Sequence, residues 1–191
     1  MSTVLITGAN SGLGLDAARQ LALRPGGYDR ILLSARSQAK ADAARDTLVR
    51  ETGRPASVFG TVVFDLTDPT TIRSALDRLD GTIDAVVLNA GGLAGTDHAG
   101  QPRITATGQT ELFAMNVGGH AILVEELHAR SRLAAGATWR SQLLVTFDVD
   151  APIGARACAE HACGAVVLAK RNDATSPNGR SFLRVRVLHG V

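Results

Sequence analysis

The sequence predicts an α/β fold built as a single-domain, doubly wound parallel sheet, and three observations lead to this prediction. Short apolar runs alternate with helical patterns along the chain, as they do where parallel strands are joined by crossover helices. A glycine-rich turn joins the first apolar run directly to the first helical pattern. The chain has 191 residues, a length that suits one domain, so we predict a single domain over residues 1–191.

The predicted elements alternate between strand and helix. The strands are short and mostly apolar, and we place them at residues 4–6, 31–33, 58–64, 85–88, 142–147 and 182–188. The helices carry apolar residues at helical spacing, and we place them at residues 15–23, 38–50, 69–79, 107–133 and 153–171. The run 85–88 is apolar throughout, which is typical of a strand buried on both faces.

The turn at residues 7–14, TGANSGLG, predicts a phosphate-binding site. Gly8 permits a tight turn, Gly12 lets the backbone approach a pyrophosphate, and Gly14 allows the helix to pack closely on the strand. The free amides at the start of the helix, together with the helix dipole, favour an anion there. Because strand, turn and helix occur in this order, the pattern indicates dinucleotide binding.

Composition and charge argue against several other classes of protein. The formal net charge of +2 gives no basic footprint for nucleic acid. No apolar stretch reaches membrane-spanning length, and the first apolar run leads straight into the glycine turn, so we expect no signal peptide and a cytoplasmic location. Cys158 and Cys163 are the two cysteines. On a helix they would lie too far apart to bridge, so we expect free thiols.

Five local patterns together resemble the short-chain dehydrogenase/reductase family over essentially the whole chain. They are the TGxxxGxG turn at residues 7–14, Asp65-Leu66 after the third strand, Asn89-Ala90-Gly91 within an NNAG-like element that begins with Leu88, Asn116 in the long helix, and the VLHGV sequence at residues 187–191. The last of these resembles the family's sixth strand running into a PG turn, with the proline missing. In this order and at these spacings the five patterns are specific.

The resemblance implies a Rossmann-type sheet with strand order 3-2-1-4-5-6, lacking the family's usual seventh strand. It also implies a small-molecule substrate and a homodimer formed through the fourth and fifth helices. Apolar residues on those helices exceed what one face of a sheet can cover, and they are Leu112, Val117, Ile122, Val124, Val166, Val167 and Leu168.

The end of the second strand indicates which nicotinamide cofactor is bound. An acidic residue there would bind an unphosphorylated ribose and repel a 2′-phosphate, but this chain has Ser34-Ala35-Arg36 instead. Arg36 can pair with a phosphate through two hydrogen bonds, so we predict NADP(H) rather than NAD(H). The alternative is that Arg36 is a solvated residue at a strand end. The predicted cofactor-binding residues are Gly8, Asn10, Ser11, Gly12, Leu13, Gly14, Ser34, Arg36, Asp65, Leu66, Asn89, Ala90 and Gly91.

The catalytic residues that the resemblance implies are largely missing. The family uses a tyrosine as the acid, a lysine four residues later and a serine after the fifth strand, and no YxxxK occurs in this sequence. Tyr28, the single tyrosine, precedes the second strand. Alignment of the fifth helix places Cys158 near the tyrosine position and Ala162 near the lysine position, while the serine position falls on Phe147 or Asp148. Asn116 is the one member of the family's set that remains.

Three other residues are candidates for the missing acid. Asp148 follows the predicted fifth strand, at the edge where ligands of such sheets bind, and a partly desolvated carboxyl group there would have a raised pKa. Cys158 and His161 share a helix face and could form a thiol–imidazole pair. The alternatives are a solvated loop aspartate and a small core cysteine. With Cys163 they give a metal-like spacing, but a helix would turn Cys163 away, so we predict no metal.

Three classes of function remain open from the sequence. The first is an atypical NADP(H)-dependent oxidoreductase of small-molecule metabolism, including secondary metabolism. The second is a redox-neutral biosynthetic enzyme that catalyses a cyclisation or rearrangement. The third is a non-catalytic nucleotide-binding subunit or sensor. Because function depends on the site rather than on the fold, the fold does not choose among them. We favour the first and expect ordinary carbonyl reduction to be absent or very slow.

Overall fold

The protein is described here from a computed structural model, which defines residues 1–92, 96–141, 166–171 and 183–188, with the backbone alone for 139–141 and the last two segments. Its contacts divide the chain into two compact units, Met1–Leu143 and Leu144–Val191. We describe each unit by itself, and a single domain over residues 1–191 stays a prediction.

The first unit contains a five-stranded parallel sheet. Its strands are β1 (Thr3–Ile6), β2 (Arg30–Ala35), β3 (Phe59–Val63), β4 (Ile83–Leu88) and β5 (Leu133–Ser141). They lie in the order β3-β2-β1-β4-β5, and each neighbouring pair is parallel. The predicted doubly wound parallel sheet is therefore confirmed for five strands. The chain reverses its direction of travel across the sheet between β1 and β4, which opens a crevice at their carboxyl ends.

Helices cover both faces of this sheet. They are α1 (Gly12–Leu23), α2 (Gln38–Thr52), α3 (Pro69–Asp77), α4 (Glu111–Phe113) and α5 (Gly119–Ala129), with a π-helical segment, Ala114–Gly118, joining α4 to α5. Helices α1 and α2 pack on one another, as do α3 and α5. Neighbouring strand residues alternate between the two cores: Val4 and Ile6 lie in the core beside α1 and α2, whereas Leu5 lies in the core beside α3 and α5. No helix in the described residues is long and apolar enough to cross a membrane.

The helix predicted at residues 107–133 is shorter than expected at both ends. Thr110 caps the observed helix by accepting a hydrogen bond from Phe113 N, and α5 ends at Ala129. Ser131 then adopts a positive φ of 52°, and β5 begins at Leu133. Alanine-rich residues 133–138 favour a helix locally, but pairing with the free edge of β4 outweighs that weak propensity. The predicted fifth strand at residues 142–147 lies outside the described residues.

The second unit differs from the prediction. Its described strands, β6 (Val166–Arg171) and β7 (Leu183–Leu188), pair antiparallel with each other. The predicted sixth strand therefore exists but is not part of the parallel sheet, and the predicted helix 153–171 is wrong over Val166–Arg171. Arg184 and Arg186 alternate with apolar residues, which is typical of a half-exposed antiparallel strand rather than a buried parallel one. The β-branched pair Val166-Val167 is a local strand signal that the predicted helix left out of account.

Candidate functional site

A cavity of about 430 Å³ lies at the carboxyl ends of β1 to β4. Most of its lining comes from the glycine turn and the ends of β2, β3 and β4, and α2 and the π-helical segment contribute one residue each. The lining residues are Gly8, Asn10, Ser11, Leu13, Ser34, Ala35, Arg36, Lys40, Phe64, Asp65, Leu66, Asn89, Ala90, Gly91 and Met115. An open cleft at the point where the strand order reverses is where ligands of such sheets bind.

Two glycines bring the turn, α1 and the end of β4 into direct contact. Gly8 has a φ of +66°, and a Cβ on it would lie 2.9 Å from the Cα of Ala90. A Cβ on Gly14 would lie 2.3 Å from the carbonyl oxygen of Gly8 and 2.5 Å from Nδ2 of Asn89. The two distances at Gly14 are too short for any side chain. Helix α1 can therefore approach the sheet this closely only with glycine at position 14.

The N-terminus of α1 faces the cavity without a competing side chain. Ser11 is the N-cap, but its hydroxyl makes no capping hydrogen bond and the first turn holds no acidic residue. By contrast, Asp68 caps α3 by accepting from Thr70 N. Gly12 has a φ of +54°, and a Cβ there would meet no atom within 4 Å. The first amides of α1 are therefore open to an anion, which the helix dipole would stabilise.

Two cationic side chains lie at the β2 end of the cavity. Arg36 follows β2, Lys40 lies in the first turn of α2, and both are exposed. Neither makes an ion pair within the part of the chain that the structure describes. Helix α2 resembles α1 in having an N-cap, Ser37, without a side-chain capping bond and no acid in its first turn. Positive charge and open amides therefore meet at one end of the cavity.

The end of β3 contributes one carboxylate to the cavity. Asp65 Oδ1 accepts hydrogen bonds from the backbone N of Thr67, at 2.9 Å, and from its hydroxyl, at 2.8 Å. The hydroxyl of Thr71 donates to the carbonyl oxygen of Asp65, at 3.1 Å. These contacts fix the carboxylate beside Leu66 at the cavity wall, so it presents a hydrogen-bond acceptor in a defined place.

The segment that follows β4 is held from two sides. The hydroxyl of Thr7 accepts hydrogen bonds from the backbone N of Asn89 and of Ala90, each at 2.9 Å. At the other end, Asn116 Oδ1 accepts from Gly92 N at 3.1 Å and its Nδ2 donates to Gly92 O at 2.9 Å. Residues 89–92 therefore form a rigid wall of the cavity, and we call them the β4 wall.

Comparison with known proteins decides the family. The family model for short chain dehydrogenases matches residues 2–132, which include every described segment that lines the cavity. This chain belongs to the short-chain dehydrogenase family. Members of this family bind nicotinamide cofactors and act on small molecules.

The chain is similar to curated proteins from fungi and from an alga. A short chain dehydrogenase of Aspergillus nomiae is 37% identical over 128 residues, covering 65% of this chain and 32% of that protein. The chloroplastic protochlorophyllide reductase of Chlamydomonas reinhardtii is 33% identical over 132 residues, covering 65% and 30%. The chain spans about a third of the length of these relatives.

Solved structures of short-chain dehydrogenases share the fold. One from Sphingobium yanoikuyae, in complex with NADPH, is 30% identical with a TM-score of 0.51, covering 68% of this chain and 48% of that one. Levodione reductase is 26% identical with a TM-score of 0.51, covering 67% and 48%. This chain therefore covers about half of each solved short-chain dehydrogenase.

The structure brings most of the residues that the sequence singled out to one place. Of the thirteen predicted cofactor-binding residues, all line the cavity except Gly12 and Gly14, which shape its turn. Ser34 is only 2% exposed, so it offers little surface to a ligand. The role of the thirteen residues in cofactor binding stays a prediction. Sequence reasoning missed four lining residues, Ala35, Lys40, Phe64 and Met115. Lys40, four residues beyond Arg36, is the one that its charge and position could have revealed.

The predicted catalytic residues are only partly described. Asn116 lies in the π-helical segment beside the cavity and holds Gly92. Asp148, Cys158 and His161 lie outside the described residues, so their roles stay predictions. Tyr28 precedes β2 and packs against the core beside α1 and α2. It therefore lies at the amino ends of the strands, whereas the cavity lies at their carboxyl ends. It therefore cannot replace the family's acid.

Proposed function

We propose that this chain binds NADP(H) in the cavity and serves as an atypical oxidoreductase of small-molecule metabolism. The observation that carries the proposal is the joint lining of one cleft by the open amides of α1 and the exposed cations at the β2 end. The α1 amides would bind the pyrophosphate, and Arg36 with Lys40 would bind the ribose 2′-phosphate. Asp65 and Leu66 would contact the adenine.

The comparisons support this cofactor. A 30% identical short-chain dehydrogenase was solved in complex with NADPH. Two further similar proteins are named levodione reductase and protochlorophyllide reductase, and these names indicate reduction of small organic molecules. A cation at the end of β2 stabilises a phosphate, whereas the acid found with NAD(H) would repel it. NADP(H) is therefore the better match for this cavity.

Replacing Arg36 by alanine is expected to weaken NADPH binding by roughly tenfold and to leave NADH binding nearly unchanged, because one charge-assisted contact to the 2′-phosphate is lost. Lys40→Ala should have a similar but smaller effect, since an ammonium makes a single-point contact. Isothermal titration calorimetry of both nucleotides measures this. Arg24→Ala is the matched control, because Arg24 is exposed at the far end of α1. Equal losses for NADPH and NADH in Arg36→Ala would contradict the assignment.

A non-catalytic nucleotide-binding subunit, or a redox-neutral enzyme that uses the same cleft, is the second candidate. The observation that favours it is the absence of YxxxK from the 191-residue sequence. Nucleotide binding is common to all three classes. Consumption of NADPH with a carbonyl substrate separates the oxidoreductase from the other two.

The chain is also proposed to form a homodimer through the helical run 111–129. Leu112 is 46% exposed and Phe113 is 37% exposed, and Val117, Ile122 and Val124 are partly exposed. The fifth-helix contribution predicted from the sequence is withdrawn, since Val166, Val167 and Leu168 lie in β6. Static light scattering should give the mass of two chains, and Leu112→Asp should halve it. A monomer mass at every concentration would contradict the dimer.

A further inference from the structure

His120 is a buried, polar side chain that no proposed step of binding or catalysis uses. It lies in the first turn of α5 and is 4% exposed. Burial lowers the pKa of its ring to about 4, so the ring is neutral at neutral pH. A neutral imidazole has one nitrogen that donates and one that accepts, and its neighbours decide which is which.

The hydrogen bonds of His120 fix its tautomer. Nδ1 lies 3.4 Å from the carbonyl oxygen of Asn116, which can only accept, so Nδ1 carries the proton. Nε2 is then an acceptor and lies 3.0 Å from the hydroxyl of Thr7. The hydroxyl of Thr7 therefore donates to His120. Its other acceptor, the carbonyl oxygen of Val87, is more distant at 3.4 Å.

This arrangement saturates the Thr7 hydroxyl. Its oxygen accepts from the backbone N of Asn89 and of Ala90, and its one proton goes to His120. Thr7 is fully buried, so no water is at hand to replace a lost partner. A protonated or absent imidazole would leave the hydroxyl proton with Val87 alone and free the hydroxyl to rotate.

His120 also connects the two anchors of the β4 wall. Thr7 holds the wall at Asn89 and Ala90, and Asn116 holds it at Gly92. The imidazole bonds to the side chain of the first anchor and to the main chain of the second. Space is tight there as well, because a Cβ on Gly91 would lie 2.6 Å from Oδ1 of Asn116. A shift of either anchor would therefore move the wall into or out of the cavity.

We propose that His120 is a positioning residue, which holds the β4 wall in the shape that admits the nicotinamide half of the cofactor. The inference rests on the proposed binding of NADP(H) for the identity of the ligand. The cations and Asp65 line the cavity at the β2 and β3 ends, whereas the wall lies at the β4 end. His120 should therefore affect the nicotinamide half and leave the adenine half unaffected.

The test compares two ligands and three substitutions at one position. Glutamine can place an acceptor where Nε2 lies, whereas asparagine reaches only the Nδ1 position and leucine offers no polar atom. His120→Leu and His120→Asn should bind NADPH about tenfold more weakly than the unchanged chain. Their affinity for adenosine 2′,5′-bisphosphate should not change. His120→Gln should recover most of the NADPH affinity, and His128→Leu, at an exposed histidine of the same helix, should match the unchanged chain.

A second measurement needs no nucleotide. Amide hydrogen exchange by nuclear magnetic resonance should be faster at Asn89 and Ala90 in His120→Leu, with Leu5 and Val86 unchanged and His120→Gln close to the unchanged chain. Unaltered exchange at those two amides, or equal losses for NADPH and the bisphosphate, would overturn the positioning role. If the unchanged chain binds neither nucleotide but the exchange result holds, the positioning stands and the proposed cofactor fails.

Discussion

Replacing Gly14 by alanine is expected to destabilise the protein by about 3 kcal/mol or more and to abolish nucleotide binding. The added Cβ would lie 2.3 Å from the carbonyl oxygen of Gly8 and 2.5 Å from Nδ2 of Asn89. Neither atom can move freely, because Gly8 is part of the turn and Asn89 Nδ2 donates to Thr7 O at 3.0 Å. Helix α1 would have to move away from the sheet, and its amides would leave the cavity. A domain stabilised by only about 5–15 kcal/mol would lose a large fraction of its stability.

Urea unfolding followed by circular dichroism measures that loss. Gly26→Ala is the matched control, because Gly26 has a φ of +65° but a Cβ there would meet no atom within 4 Å. This control should lose about 1 kcal/mol, the cost of placing a side chain in the left-handed region. Equal free energies of unfolding for the two variants would show that α1 does not pack on Gly8 as described.

Carbonyl reduction by this chain is expected to be absent, or to be about 10² to 10⁴ times slower than in an enzyme with a positioned general acid. The sequence contains no YxxxK. Tyr28 packs on the core at the amino end of β2, away from the cavity at the carboxyl ends of the strands. The missing acid and its partners act as a unit, so their individual losses are not multiplied. The remaining contribution to the rate of carbonyl reduction would come from binding cofactor and substrate side by side.

The rate of NADPH consumption with a panel of ketones and quinones measures this. Any residual rate should fall in Asp148→Asn, the first candidate for the replacement acid, or in Cys158→Ala and His161→Ala, the second. Arg24→Ala serves again as a control for an exposed change away from the cavity. Fast turnover that none of these three substitutions lowers would mean that the catalytic centre has been misplaced.

The sequence predicted most of the residues that line the cavity, because the patterns that mark them are local. The roles of Gly8 and Gly14 follow from steric rules that apply within a few residues, and the structure gives the close approaches expected of them. The alternation of strands and helices likewise predicted the parallel, doubly wound sheet, and the family resemblance supplied the order of its strands.

Features that depend on distant partners escaped the sequence. The predicted helix ran to residue 133 and the next strand was predicted at 142–147, yet β5 begins at Leu133 and pairs with the edge of β4, and no local pattern reveals an unpaired edge. The run at Val166 was predicted as helix, yet it forms a strand that pairs with β7, because a short apolar run does not by itself separate helix from strand. His120 had no pattern beyond its helix, because its partner Thr7 lies 113 residues away. Lys40 lies in α2, beyond the glycine turn and the strand ends to which the predicted cofactor-binding residues belong.

Calorimetric titration of the unchanged chain with NADPH and with NADH tests the central claim most directly. The cavity combines open amides at α1 with two exposed cations at the β2 end. We therefore expect one site per chain, with NADPH bound at least about tenfold more tightly than NADH. Equal affinities, or no heat of binding with either nucleotide, would contradict the claim that this cleft is an NADP(H) site.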